Sequence, residues 1–148
     1  MRIWHYKLLD VLPKNQFLGQ LRELVAIMHD WRDNGKTDHI LINRVMNYDK
    51  KELTQYYLLY EKEYLTRYGK KPKEKYHDEF ITFSNFDEEN DYFNKLFIGW
   101  HDDEYLRVCM ANLYEKYKMA IGKSAITVSE WDLLSNKYEE VVGERYVI

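Results

Sequence analysis

The sequence predicts a mainly α fold, one helical domain over residues 1–148, on three observations. Apolar residues recur at spacings of three and four along several stretches, which is the period of a helix face. Helix boundaries are punctuated: Asp49 and Glu52 have the spacing of a capping box, and Gly35, Gly69 and Gly143 stand where periodic stretches end. No strict alternation of the kind a half-buried strand shows is sustained, and no internal repeat is visible.

Taken in order, residues 1–14 read as extended or irregular, with Pro13 at or just before a first helical turn, where a missing amide hydrogen is harmless. A helix is expected over 15–34. Phe17, Leu18, Leu21, Leu24, Val25, Met28 and Trp31 form its apolar stripe, and Gly35 is its C-cap. Thr37 and Asp38 can cap a short helix over 39–46. Asp49 starts a helix that runs to about Tyr68. Leu53, Tyr56, Tyr57, Tyr60, Tyr64 and Tyr68 line one side of it, and such a stripe is more often core than ligand platform. Residues 70–75 form a basic turn broken by Pro72. Residues 76–100 mix aromatics and acids without a clean period and are expected to be a long, partly ordered loop with one helical turn over 90–96. Asp102, Asp103 and Glu104 put negative charge at the start of the next helix, where the macrodipole favours it. Tyr105, Leu106, Cys109, Leu113 and Tyr117 are its apolar side. A link over 122–128, extended at Ile126-Thr127-Val128, leads to a last helix started by Ser129 and Asp132. That helix runs to about Val142, and a tail over 145–148 follows.

The chain has 148 residues, enough to bury a real core, and 16% of them are aromatic, Tyr alone supplying 14. No apolar run approaches the ~18 residues of a membrane span. With no apolar leader segment, no signal peptide is expected, and the single Cys109 suits a reducing cytoplasm. The net charge of −3 is unevenly spread. Residues 1–76 hold 15 Lys and Arg against 10 Asp and Glu, giving +5; residues 77–148 hold 7 against 15, giving −8. A basic front half is compatible with phosphate contacts, because these depend on the local field; ordinary surface drift explains the split equally well.

Familiar signatures of small-molecule chemistry are missing. There is no Gly-rich phosphate loop and no Gly-x-Ser-x-Gly, and His5, His29, His39, His77 and His101 lack metal-ligand spacing. No metal and no cofactor are therefore expected. The polar face of the first helix is less ordinary. Gln16, Gly19, Glu23, Ala26 and Asp30 fall roughly on one line, and the small Gly19 and Ala26 flank Glu23 by a helical turn. Such a gap admits another backbone close to Glu23, at a helix-propensity cost of ~1 kcal/mol for the glycine. The competing reading is a solvated face on which a glycine is tolerated.

Together with the opening Met1-Arg2-Ile3-Trp4-His5, Leu12-Pro13 and Gln16-Phe17-Leu18-Gly19-Gln20-Leu21-Arg22-Glu23, the sequence resembles the pyrimidine-dimer DNA glycosylase family of the endonuclease V type, in its bacterial and phage branch. The resemblance continues at Asn43-Arg44-Val45-Met46-Asn47, Gln55-Tyr56, Arg67-Tyr68-Gly69 and His101-Asp102-Asp103-Glu104-Tyr105-Leu106, covering roughly residues 1–69 and 100–117. It implies a compact helical fold with the N-terminal segment packed between helices. It also implies glycosylase activity coupled to abasic-site lyase activity on double-stranded DNA. Carried over, the amine of Met1 is the nucleophile that forms an imine at C1′, Glu23 is the catalytic carboxylate, and Arg2 and Arg22 hold phosphates. Trp4, His5, Gln16 and Gly19 complete the substrate-contacting set. Trp4, His5 and Tyr6 are candidates to fill or line the gap left by a displaced base, though they could equally be core.

Residue chemistry supports the same roles. An α-amine ordinarily titrates near ~7.7–8.0 against ~10.4 for lysine, so near pH 7.5 roughly a third of such amines are unprotonated. A bulky second residue, Arg2, also fits retention of Met1. The sequence departs from the family where a second arginine follows the glutamate by a turn (here Ala26), where a histidine begins that helix (here Gln16), and at the tail, where Glu139, Glu140 and Glu144 replace an aromatic-basic ending. These departures bear on dimer specificity; the minimal parts of the imine chemistry remain. A monomer acting on DNA with a damaged or modified base is the leading expectation. The alternatives are a non-catalytic nucleotide or nucleic-acid binding module, and a protein-interaction role in which the acidic back half meets a basic partner.

Overall fold

A computed structural model describes residues 1–119 and 122–148, and every regular element among them is helical. Five α-helices follow in order: α1 (Lys14–Asn34), α2 (Lys50–Tyr68), α3 (Glu74–Ser84), α4 (Asp103–Met119) and α5 (Val128–Val142), with 3-10 turns at Tyr6–Leu8, Ile42–Asn47 and Gly122–Ser124. The chain groups into two compact units: Met1–Ile3 with Gln20–Phe97, and Trp4–Gly19 with Ile98–Ile148.

In the first unit the stripes read from the sequence are core only in part: Leu21, Val25 and Trp31 of α1 and Tyr64 and Tyr68 of α2 are half-buried, and Ile27, outside the stripe, is buried. Leu24, Ile27 and Met28 of α1 and Leu53, Tyr56, Tyr57 and Tyr60 of α2 are fully buried. Asp49 caps α2 by accepting from the Lys51 N–H at 2.9 Å, and Gly69 ends it with φ 69°. The short helix expected over 39–46 is a 3-10 helix over Ile42–Asn47. Its approach is fixed by Asn43, whose Oδ1 accepts from the Thr37 N–H at 2.7 Å and whose amide donates to the Thr37 carbonyl.

Residues 76–100 differ from expectation. Instead of a long loop they begin inside α3, which packs on α2 through Phe80, fully buried and stacked on Tyr57 with ring centroids 4.3 Å apart. Tyr76, Phe80 and Phe83 recur at helical spacing in it, and polar residues take further packed positions. His77 Nδ1 lies 2.9 Å from Glu61 of α2, Glu79 lies 2.6 Å from His29 of α1, and Ser84 hydrogen-bonds Thr54 of α2. The turn expected over 90–96 is not helical. That stretch is held by side chains of α2: Gln55 exchanges two 2.7 Å hydrogen bonds with the main chain of Phe93, and Glu52 accepts from the Phe97 N–H at 2.8 Å.

In the second unit α4 is capped by Asp102, which accepts from the Tyr105 N–H at 2.8 Å. Helix α5 starts one residue before the expected Ser129. Thr127 accepts from the Glu130 N–H, and Glu130 Oε1 accepts in return from the Thr127 N–H, so the capping box is Thr127 with Glu130. The second oxygen of Glu130 accepts from the Lys14 N–H at 3.1 Å, giving the first turn of α1 a partner for one of its orphan donors. Trp131 anchors α5 against α4, stacked on Tyr117 at 5.4 Å, and Tyr146 of the tail closes edge-on over both Trp131 and Tyr138. No helix among the described residues is long and apolar enough to cross a membrane.

Candidate active site at the N-terminal amine

The first three residues are fastened rather than frayed. Ile3 is fully buried. The Arg2 N–H donates to Glu23 Oε2 at 2.9 Å, and the Arg2 carbonyl accepts from the Gln20 side-chain amide at 2.7 Å. Both partners sit on α1, whose Leu24, Ile27 and Met28 fix its inward face. Gln20, a turn before Leu24, continues that face and is fully buried; its Oε1 accepts from the Tyr56 hydroxyl of α2 at 3.2 Å.

This fastening brings the amine of Met1 to 4.0 Å from Glu23 Oε1. The two carboxylate oxygens therefore divide their work, one holding the main chain and the other facing the amine. At 4.0 Å the amine lies beyond hydrogen-bond length of Oε1, within ion-pair reach. Met1 is 43% exposed as a residue while its side chain is only 17% exposed, so the exposure lies on the main chain, where the amine is. Arg22 is exposed on α1 beside Glu23, and its charge is felt by the buried phenol of Tyr60, which burial pushes to a higher pKa.

The remaining sequence candidates lie in the second unit. Trp4 and His5 are buried. The Nδ1 of His5 accepts from the Lys7 N–H at 3.1 Å, capping the 3-10 turn Tyr6–Leu8, and its ring stacks with Tyr6 and His101. Burial, with the Lys7 charge beside it, pushes the imidazole from 6.5 down to about 4. Gln16 is buried as well; its amide donates to the Ser124 carbonyl at 2.8 Å, while its Oε1 has no hydrogen-bond partner. Gly19 is half-buried in α1. Among the described residues, no group of three or more His, Cys, Asp or Glu is arranged to hold a metal ion.

Sequence reasoning assigned no role to two members of this cluster. Gln20 stood inside the quoted motif, and Tyr56 looked like one ring of a core stripe. The available signal was an amide side chain on the apolar face of a helix, since a buried polar group needs a partner.

No curated protein and no solved structure gives a significant match to the chain. The family model described as pyrimidine dimer DNA glycosylase matches residues 1–77, a span that holds Met1, Arg2, Gln20, Arg22, Glu23 and Tyr56. With more than half of its length matched, the chain belongs to the pyrimidine dimer DNA glycosylase family.

Proposed function

We propose that the protein is a DNA glycosylase with abasic-site lyase activity on a damaged or modified base, with the Met1 amine as nucleophile and Glu23 as the proton-handling carboxylate. The observation that carries this reading is the exposed amine 4.0 Å from Glu23 Oε1, with the adjoining N–H bonded to Oε2. In this reaction the amine lone pair forms the bond to C1′ as the base departs with the electron pair of its own bond and takes up a proton. Loss of a proton from the new C–N nitrogen lets the C1′–O4′ bond open to an imine, with the ring oxygen protonated. Removal of a C2′ proton then breaks the C3′–O3′ bond, the phosphate leaves with its pair, and water releases the amine. Glu23 Oε1 is near enough to exchange protons with the amine after a small approach, and its charge favours the cationic sugar. Arg2 and Arg22 supply positive charge for the flanking phosphates.

The test is borohydride trapping by protein with a native, untagged N-terminus, first on duplex DNA with an abasic site and then on dimer-containing DNA. A covalent adduct is expected, lost when residues are added before Met1. Glu23→Gln is expected to lower turnover by about 10²-fold or more, the range of general acid–base contributions. Unchanged turnover in Glu23→Gln would rule out its assigned role. A second reading, a nucleotide or nucleic-acid binding module without turnover, is motivated by the loss of the family's basic charge at Ala26 and in the C-terminal tail. It predicts retained affinity and no adduct.

A further inference from the structure

We infer that Gln20 and Tyr56 are positioning residues for the Met1 amine, an inference that rests on the reading of that amine as nucleophile. The first residues of a chain are ordinarily mobile unless tied down, whereas a nucleophile misplaced by ~1 Å can lose about 10²-fold in rate. Two hydrogen bonds fix the main chain next to the amine, one on each side of Arg2. They are not equivalent. The bond from the Arg2 N–H ends on Glu23, and a carboxylate that takes up a proton during the reaction becomes a weaker acceptor. The bond to the Arg2 carbonyl comes from a neutral amide and does not change with proton transfer. Gln20 therefore holds the amine in register throughout the cycle, including the steps in which Glu23 is occupied with protons.

Tyr56 decides which way Gln20 points. A side-chain amide can present either its oxygen or its nitrogen to a neighbour. The Tyr56 hydroxyl donates to Oε1, which leaves Nε2 directed at the Arg2 carbonyl. Both residues are fully buried, so water does not compete for these bonds. A Leu or Met at position 20 would continue the stripe of Leu24, Ile27 and Met28 with no polar group to satisfy. What the glutamine adds is the directed donor.

The experiment uses untagged wild type, Gln20→Met, Gln20→Glu and Tyr56→Phe. Without DNA, exchange of the Arg2 amide hydrogen is followed by NMR. It is expected to speed up about 10-fold or more in Gln20→Met while amides of α4 and α5 keep their rates, since the variant frees one side of a fastened residue. With an abasic duplex, single-turnover trapping is expected to slow by about 10- to 100-fold in Gln20→Met, with half-saturating DNA and final adduct yield within about twofold of wild type. Gln20→Glu, which can accept from Tyr56 but cannot donate to the Arg2 carbonyl when ionised, is expected to match Gln20→Met. Tyr56→Phe, a deletion of one oxygen that keeps the ring, is expected to slow trapping by about 3- to 10-fold and stands in if the position-20 variants do not fold. Unchanged exchange and unchanged trapping rates overturn the inference. So does a lower adduct yield at unchanged rate, which marks lost folded protein and not a displaced amine. If wild type fails to trap while Gln20→Met still frees the Arg2 amide, the enzyme reading falls and the fastening stands. If wild type traps and Gln20→Met traps equally fast, the relay falls and the enzyme stands.

Discussion

His77 in the first unit and His5 in the second are both withdrawn from solvent, yet their imidazoles are pushed in opposite directions. Burial lowers both. At His77 it is overcome by hydrogen bonds to Glu61 and Glu88, which flank the ring at 2.9 and 3.0 Å, and the pKa is raised. At His5 burial prevails, the adjacent charge is Lys7, Asp102 acts only weakly in opposition, and the pKa falls to about 4. The contrast extends to groups near each histidine, although the second unit also holds the Lys137–Asp10 ion pair. In the first, nitrogen groups face carboxylates: His29 faces Glu79, His77 faces Glu61, and the Met1 amine faces Glu23. In the second, the rings of His5 and His101 stack with each other and with Tyr6 and Tyr105. Depth and facing charge together set each histidine: at the deeply buried His5 burial prevails, and at the shallower His77 the two carboxylates do. Of His29, His77 and the Met1 amine, only the amine can also form an imine with an aldehyde carbon.

The largest test of this contrast is Phe80→Ala. It deletes the ring that seats α3 on α2, and with it the support that brings His77 to Glu61. Destabilisation of about 3–5 kcal/mol is expected by denaturant titration, with faster amide exchange across α2 and α3. Next is acidification. The folded pKa of His5 lies below its unfolded value, so its contribution is present above pH ~6.5 and is lost as pH falls through about 4. A loss of about 2–3 kcal/mol is expected across that window, and His5→Asn, which keeps an acceptor near the Lys7 N–H, is expected to flatten it. Third, Glu130→Ala removes acceptors from the N-termini of both α5 and α1. It is expected to cost about 1–2 kcal/mol, against a fraction of that for an acid that caps nothing. The smallest effect has the opposite sign to that of His5. Protonated His77 stabilises below pH ~6.5, and that contribution fades as pH rises through its raised folded pKa. Because the ring and Glu88 are partly exposed, under ~1 kcal/mol is expected, abolished in Glu61→Gln. If both histidines titrate with the same sign, the contrast between the units is broken.

Helices α1, α2 and α4 were legible because apolar residues recur along them at helical spacing, although Gln16 and Gln20 of α1 and Thr54, Gln55 and Glu61 of α2 are buried too. Helix α3 was missed although Tyr76, Phe80 and Phe83 recur at the same spacing; the partners of His77, Glu79 and Ser84 lie on other helices. At α5 two capping patterns overlapped, Ser129 with Asp132 and Thr127 with Glu130. The second is used, and the Lys14 N–H that also engages Glu130 is far away in sequence. In the site, Met1, Arg2 and Glu23 could be named from the opening motif. The Tyr56–Gln20–Arg2 chain joins residues up to 54 apart, and no local spacing encodes it.

The grip on residue 2 has an evolutionary corollary. Both bonds use its main-chain N–H and carbonyl, which nearly every amino acid offers alike. Exchange of Arg2 for another bulky residue would therefore keep both bonds, and a bulky residue is also what fits retention of Met1. Proline is the exception, because it has no N–H for Glu23 to accept. Side-chain character at position 2 and the main-chain hold on the terminus are thereby separable at a single codon.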